Sequence, residues 1–356
     1  MIDVSGNVYI AGDPHFSASQ PWRKPIGDRF LDWLENEFKP EPNSYFIGLG
    51  DNSDDAVNPG SVISQLERFA TILQAKFKHS YMLVGNHDLK LYKYKPHLAF
   101  DFLDQKEGIT ILKDPAQILN IGGLKVLAMP HYNYRPEYPS MYDYYNNLPS
   151  NILNQEYDLM VGHFADETNP MIHDQYVKTK KIKAKHIALG HIHSRVSDHY
   201  LGSIAPFKVS EDDRDPNIPA RALWVLNKEN DEVVKSEIPL PVICKYRFIN
   251  YPDPLPDTPE PVTVWTVNNC NVETVAKNYY QEASGGQKIY IRGVVSKLMK
   301  KDYNKVSTKS DSVTKITKQT DRQVLEDWLK ESKIRVSRAV VKKLRNLLPE
   351  ESVPQK

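Results

Sequence analysis

Six short apolar runs punctuate the first two thirds of the chain: "NVYIAGD", "SYFIGLGD", "SYMLVGNHD", "LKVLAMPH", "YDLMVGHF" and "KHIALGHIH". Each stops at glycine or a polar side chain, which is the pattern of a buried strand. Segments of helical period separate the first three. "GDRFLDWLENEF" sets Phe30, Leu31, Leu34 and Phe38 on one face, and "SVISQLERFATILQAKF" does the same with Val62, Leu66, Phe69, Ile72, Leu73 and Phe77. "ILNIGGLKVLAM" reads as a hairpin turning at Gly122–Gly123. Strand–helix–strand alternation of this kind predicts a layered α/β fold.

The pattern changes over 238–262, where prolines 252, 254, 256, 259 and 261 exclude regular structure and mark a boundary. A small α+β unit follows, with strand "VTVWTV", helix "VETVAKNYYQEA" and strand "KIYIRGVV". Residues 299–319 are polar and low in complexity, as in a flexible tether. Helical period returns in "VLEDWLKES", with Thr320 and Gln323 as a capping box, and in "RAVVKKLRNLL". The expected divisions are therefore a main domain at 1–238, a cap at 239–298, a linker at 299–319 and end helices at 320–348. Helices this short form no core of their own, so they either fold back or dock on a partner.

Composition adds little to this picture. The chain of 356 residues is 40% hydrophobic and 26% charged, which suits one large domain with smaller attachments. No apolar run reaches the roughly 18–20 residues of a membrane helix, so no membrane partner is expected. The first residues lead straight into a strand pattern without a leader-like segment, and Cys244 and Cys270 make no disulfide framework. A reducing, cytoplasmic setting is the expectation. Charge is more informative. The net charge is +1, yet residues 292–345 hold 16 Lys and Arg against 6 Asp and Glu. Such a segment fits an acidic ligand, DNA included, although Lys, Ser and Thr also dominate solvated linkers.

The chemistry gathers where the apolar runs end. Asp13 and His15 close the first, Asp51 the second, Asn86, His87 and Asp88 the third, His163 the fifth, and His191 with His193 the sixth. In open α/β folds the carboxyl ends of parallel strands share one crevice, so this scatter along the chain predicts a cluster in space. His191 and His193 stand two apart, which on a strand directs both rings to one face. Any metal here is held by oxygen and imidazole nitrogen rather than thiolate. That donor set suits Mn2+ first, with Mg2+, Fe or Zn open. A dinuclear site suits phosphodiester hydrolysis, because two divalent cations offset the repulsion between an anionic diester and hydroxide.

The ordered set D-x-H, G-D, G-N-H-D, G-H and G-H-x-H resembles the calcineurin-like metallophosphoesterase superfamily over about residues 5–225. The resemblance implies a two-sheet β-sandwich flanked by helices, joined here to the small α+β cap and the C-terminal helices. It also implies two divalent metal ions. Asp13, His15, Asp51 and His193 would hold one, and Asp51, Asn86, His163 and His191 the other, with His87 as the catalytic histidine and Asp88 orienting it. Many members read G-D-x-x-D or G-D-x-x-H, and here "GDNSDD" puts Asp54 in that place, either supporting the metal ligands from behind, or facing the substrate, or capping the next loop. His131 in "MPHYNYRPEY" follows a strand and is either a border of the site or a plain loop residue, and the neighbouring tyrosines suit either stacking or packing.

After the last motif, "HYLGSIAPFKVSEDD" is similar to the Tyr-x-Gly-Ser segment of SbcD-type DNA nuclease subunits. That narrower resemblance implies a Mn2+-dependent exonuclease on duplex DNA and endonuclease on single strands. It implies a homodimer, for which the helix at 61–78 is a candidate contact, and an SbcC-type coiled-coil ATPase gripped by the C-terminal helices. Lys208 and Arg214 would lie near a phosphate backbone. The competing reading is a stand-alone phosphoesterase acting on a small nucleotide or phosphoprotein.

Overall fold

A computed structural model of the protein describes residues 6–19, 23–92, 95–132, 140–169, 176–207, 211, 219–250, 253, 262–268 and 289–291. The chain resolves into two compact units, Met1–Val295 and Ser296–Lys356. The second unit lies outside the described residues, and with it the linker 299–319 and the end helices 320–348. The cap helix at 272–283, Tyr134, Arg135, Lys208 and Arg214 also lie outside them.

Within the main domain, the predicted strands and the first two helical segments form in order. Strand β1 (Val8–Ala11) leads through α1 (Arg23–Asp32) and a π-helical turn (Trp33–Glu37) to β2 (Tyr45–Gly48), then α2 (Gly60–Lys76) and β3 (His79–Leu83). The segment "GDRFLDWLENEF" is thus not one α-helix, because its last turn widens and leaves the helix at Phe38. The short hairpin β4 (Leu89–Tyr92) and β5 (Lys95–Leu98), which the apolar pattern does not announce, comes next. Then follow β6 (Ile109–Leu112), the expected hairpin β7 (Gln117–Ile121) and β8 (Leu124–Met129), α3 (Met141–Asn146), α4 (Ser150–Leu153), β9 (Glu156–His163) and β10 (Lys183–Gly190). The chain continues through β11 (Ala222–Glu229), β12 (Glu232–Pro239), β13 (Lys245–Asn250), β14 (Thr263–Asn268) and β15 (Ile289–Ile291). Strand β13 lies inside the Pro-rich stretch, ahead of its proline cluster, and pairs in parallel with β14, which pairs in parallel with β15.

Two sheets carry the main layers, in the orders β12-β11-β1-β2-β3-β6 and β10-β9-β8-β7. Single-residue alternation decides what each face meets. Val8, Ile10, Ile47, Trp224 and Leu226 from the first sheet bury against Val126, Ala128, Leu159, Val161 and Ala188 from the second. The intervening residues Tyr9, Ala11, Phe46, Met82, Leu223 and Val225 face outward onto α1 and α2, through Phe30, Leu31, Leu66, Phe69 and Leu73. Leu127, Met129, Met160 and Leu189 likewise meet Met141, Tyr145 and Ile152 of α3 and α4. The result is the expected sandwich of two sheets flanked by helices. The apolar stripe of α2, from Val62 to Leu73, is buried in this core. Tyr132, Tyr144 and Tyr145 pack edge to face with one another, which is packing rather than a stacking platform.

Parallel pairing aims several strand ends the same way. β1, β2, β3 and β6 run parallel in one sheet, and β8, β9 and β10 in the other. The motif residues leave from the carboxyl ends of β1, β2, β3, β9 and β10. Phe46 tests the helix-facing layer, since it is fully buried against Phe69 and Phe77. Phe46→Ala should lower the unfolding free energy by about 3–5 kcal/mol, whereas Val242→Ala, at an exposed position, should stay within about 0.5 kcal/mol. Denaturant midpoints of the two variants would check this.

Candidate metal centre

Three of the motif side chains stand just past a strand where the backbone turns sharply. His15, Asp51 and His191 have φ of 44°, 46° and 78°. This left-handed region costs a side-chain-bearing residue about 1–2 kcal/mol and is concentrated at functional sites. The glycines of the motifs serve a different need. A Cβ on Gly85 would sit 2.1 Å from the Asp51 amide nitrogen and from its Oδ1. A Cβ on Gly190 would sit 2.4 Å from Asp13 Oδ1. Neither position has room for a side chain.

The Asp51 carboxylate is at the middle. Its Oδ2 lies 3.4 Å from His15 Nε2 and 3.2 Å from His163 Nε2. Its Oδ1 accepts the His87 backbone N–H at 2.8 Å. Two donor sets diverge from it. Asp13, His15 and His193 gather on one side, with His15 Nε2 only 2.9 Å from His193 Nε2. His163 and His191 gather on the other, and Asn86 Oδ1 approaches them at 3.0 and 2.8 Å. Asp13 Oδ2 accepts the His191 backbone N–H at 2.8 Å, which ties the two sets together.

Strand β10 ends at Gly190 and His191 is left-handed, so strand alternation does not place the two rings. The backbone turn does, and it sends His191 to Asn86 and His193 to His15. Asp88 also departs from its expected task. It is buried and accepts from the backbone N–H groups of Ser53 and Gly85 and from Asn52 Nδ2, so it braces the turn rather than the His87 ring. The ring of His87 is exposed and donates from Nδ1 to the Asp54 carbonyl oxygen at 2.9 Å. The Asp54 carboxylate stands behind the first donor set, 3.3 Å from His15 Nδ1 and 2.8 Å from Arg23 Nη2. His131 is half-buried at the border, its ring perpendicular to that of His163 at 6.4 Å.

Sequence reasoning missed several supporting groups. Arg23 is buried between Asp54 and the face of Phe207, and Phe207 packs on the rings of His15 and His193. The Leu49 carbonyl oxygen lies 2.8 Å from His163 Nδ1, and Glu211 Oε1 lies 3.0 Å from His193 Nδ1. A backbone carbonyl leaves no trace in a sequence, and Arg23 and Glu211 belong to no motif. Away from the two donor sets, His199 Nδ1 lies 2.5 Å from the buried Asp166, which also accepts from Tyr200, Thr168 and Thr179.

Electrostatics prepares the imidazoles as ligands. Burial pushes His15 and His191 down to about 4 and His131 down to about 3, so their rings are neutral at pH 7 with lone pairs to give. Burial pushes Asp13 well above the usual carboxylate range, and pushes Asp88 up too, with the Asp51 charge adding to it. Burial works against Asp51 as well, but the His163 imidazole outweighs it and holds Asp51 well below that range. His163 feels burial as a lowering effect, which Asp51 and Asp13 overcome to raise it to about 9. Asp54 is held low because His15 and Arg23 outweigh its burial.

These residues fit a pair of divalent cations. Asp13 Oδ1 is buried with no hydrogen-bond partner, and the carboxylate and imidazole donors converge within 4.8 Å in each His/Asp group, with Asn86 Oδ1 against His163 and His191. Cation binding must remove the protons from His163 and Asp13, so it should release protons and strengthen as pH rises toward about 9. Titration calorimetry with Mn2+ in buffers of different ionisation enthalpy should find more protons released at pH 6.5 than at pH 8.5.

Among solved structures, the chain is similar to the phosphopantetheinyl hydrolase of Mycobacterium tuberculosis, with 15% identity, a TM-score of 0.36, and coverage of 61% of this chain and 95% of that one. A protein of unknown function from Aquifex aeolicus is similar at 16% identity and a TM-score of 0.29, over 51% and 88% of the two chains. No curated protein matches the chain. Residues 6–195, more than half the chain, match the calcineurin-like phosphoesterase family, and the protein belongs to that family of metal-dependent phosphoesterases.

Proposed function

We propose that the protein is a Mn2+-dependent DNA nuclease of the SbcD type, acting exonucleolytically on duplex ends and endonucleolytically on single strands. The observation that carries the chemistry is the Asp51 carboxylate at the junction of two donor sets. Asp13, His15, Asp51 and His193 would hold one cation, and Asp51, Asn86, His163 and His191 the other. When bound, the pair supplies charge neutralisation of the phosphodiester and Lewis-acid polarisation of its oxygens. The choice of DNA is supported by "YLGS" at 200–203 after the last motif and by the basic segment 292–345. An SbcC-type ATPase on the C-terminal helices and a homodimer complete the same proposal.

The chain's own residues divide the remaining work. His87 is exposed at the edge of the centre, and its Nδ1 hydrogen is committed to the Asp54 carbonyl oxygen. That leaves Nε2 free, and with the ring in its imidazolium form Nε2 carries the second proton and would hand it to the departing oxygen of the scissile ester. The His87 backbone N–H on Asp51 Oδ1 keeps this residue beside the carboxylate that the two donor sets share. Asp88 fixes the turn that carries Asn86 and His87, and Arg23 with Asp54 fixes His15.

The full chain with Mn2+ should degrade linear duplex and cut single strands, with an activity that falls steeply with salt because phosphate contacts release counterions. Activity confined to a small phosphodiester, unchanged on deletion of 300–356, would replace this reading with that of a stand-alone phosphoesterase. His87→Ala should lower kcat by about 10²–10⁴-fold while Mn2+ affinity stays near that of the parent. Loss of Mn2+ binding in that variant would instead make His87 a ligand.

A further inference from the structure

The imidazoles of the centre differ in what stands behind them. His193 is backed by a carboxylate, with Nδ1 3.0 Å from Glu211 Oε1. An ionised carboxylate only accepts, so Nδ1 carries the hydrogen and Nε2 presents its lone pair toward His15. The outer nitrogen of His15 has the Asp54 carboxylate at 3.3 Å, close enough for attraction but off the line of a hydrogen bond. On the other side, the outer nitrogen of His163 is hydrogen-bonded to a neutral carbonyl, that of Leu49 at 2.8 Å, with Asp13 Oδ1 of the first set farther off at 3.8 Å. Asn86, which joins that side, is neutral as well. One donor set therefore has Asp13 and Asp51 within it and two further carboxylates behind it. The other shares Asp51 and has no second carboxylate among its donors and none hydrogen-bonded behind them.

Glu211 is itself held in place. Its Oε2 accepts the Phe207 backbone N–H at 2.9 Å, and its carbonyl oxygen accepts from Arg221 Nη2 at 2.8 Å. Arg221 is buried, and its Nη1 donates to the His193 carbonyl oxygen at 2.9 Å and to the Ser203 carbonyl oxygen at 2.8 Å. One guanidinium thus clasps the backbone of both His193 and Glu211, and fixes the separation their side chains must bridge.

We propose that Glu211, clasped by Arg221, is a positioning residue that makes the Asp13–His15–Asp51–His193 group the tighter of two unequal cation sites, so that metal loads in a fixed order. This rests on the two-cation reading of the preceding subsection. A carboxylate behind a ligand imidazole raises its basicity and fixes its ring, and losing such a partner weakens metal binding by about 10–100-fold.

The test is a titration of the metal-free full-length protein with MnCl2, followed by calorimetry and by electron paramagnetic resonance, which separates a lone Mn2+ from a spin-coupled pair. The parent should show two classes of site, with the uncoupled spectrum building before the coupled one. Glu211→Gln should weaken the tighter class by about 10–100-fold and spare the looser one, while Asn86→Ala does the reverse. Loop destabilisation alone would weaken both classes of Glu211→Gln together and lower its metal-free melting temperature. That result, an unchanged tighter class in Glu211→Gln, or a single class in the parent would overturn the proposal. A parent that binds no Mn2+ would overturn the two-cation reading instead.

Discussion

A carboxylate almost without solvent, shared by two sets of donors, is the constraint around which this end of the molecule is built. Asp51 is about 1% exposed. Burying one ionised carboxylate is costly unless it is paired and hydrogen-bonded. Its partners come from far along the chain, from His15, His163 and the His87 amide. The backbone follows the same demand. His15 N–H donates to the Asp51 carbonyl oxygen, Phe16 N–H to that of Asn52, and Asp54 N–H to that of Phe16. The loops after β1 and β2 are therefore laced together before any side chain is considered, and Gly85 lets the third loop close over them.

Such a centre is strained, and the strain is carried by the layers beneath it. Three candidate ligands occupy left-handed backbone, and Asp13 and Asp88 have their carboxyls pushed up by burial. Backbone of this kind persists only where its surroundings over-determine it. Those surroundings are an apolar layer between two sheets and helical layers on their outer faces. Rigid strands thus deliver rigid loops, and the donor atoms are set without reliance on long flexible side chains.

Much of this was legible in the sequence because strand burial and ligand chemistry both leave local marks. The runs ending at Ala11, Gly48, Leu83, His163 and Gly190 announce strands, and the polar residues just beyond them announce the cluster. What was illegible falls into three physical kinds. The hairpin β4–β5 has no continuous apolar run of its own, and β13 sits in a stretch whose prolines masked its pattern. The rule of two along a strand failed as a reason at His191, because the chain had already left the strand at Gly190. Partners that work through a backbone carbonyl, as Leu49 and Asp54 do, or that sit alone in sequence, as Arg23, Glu211 and Arg221 do, carry no motif at all.

Strand β10 is also the outermost strand of its sheet, and an unpaired edge invites another chain to add itself. The two halves of β10 meet that hazard differently. The first half exposes Lys183 and Lys185, whose charges repel an incoming strand. In the second half the main-chain groups of Leu189 are taken, its N–H by the His199 carbonyl oxygen and its C=O by the Leu201 N–H. The chain thus plugs its own border beside His191, and an extended intermolecular ladder along β10 is blocked at the end where a stray backbone would otherwise crowd the candidate metal-binding histidines.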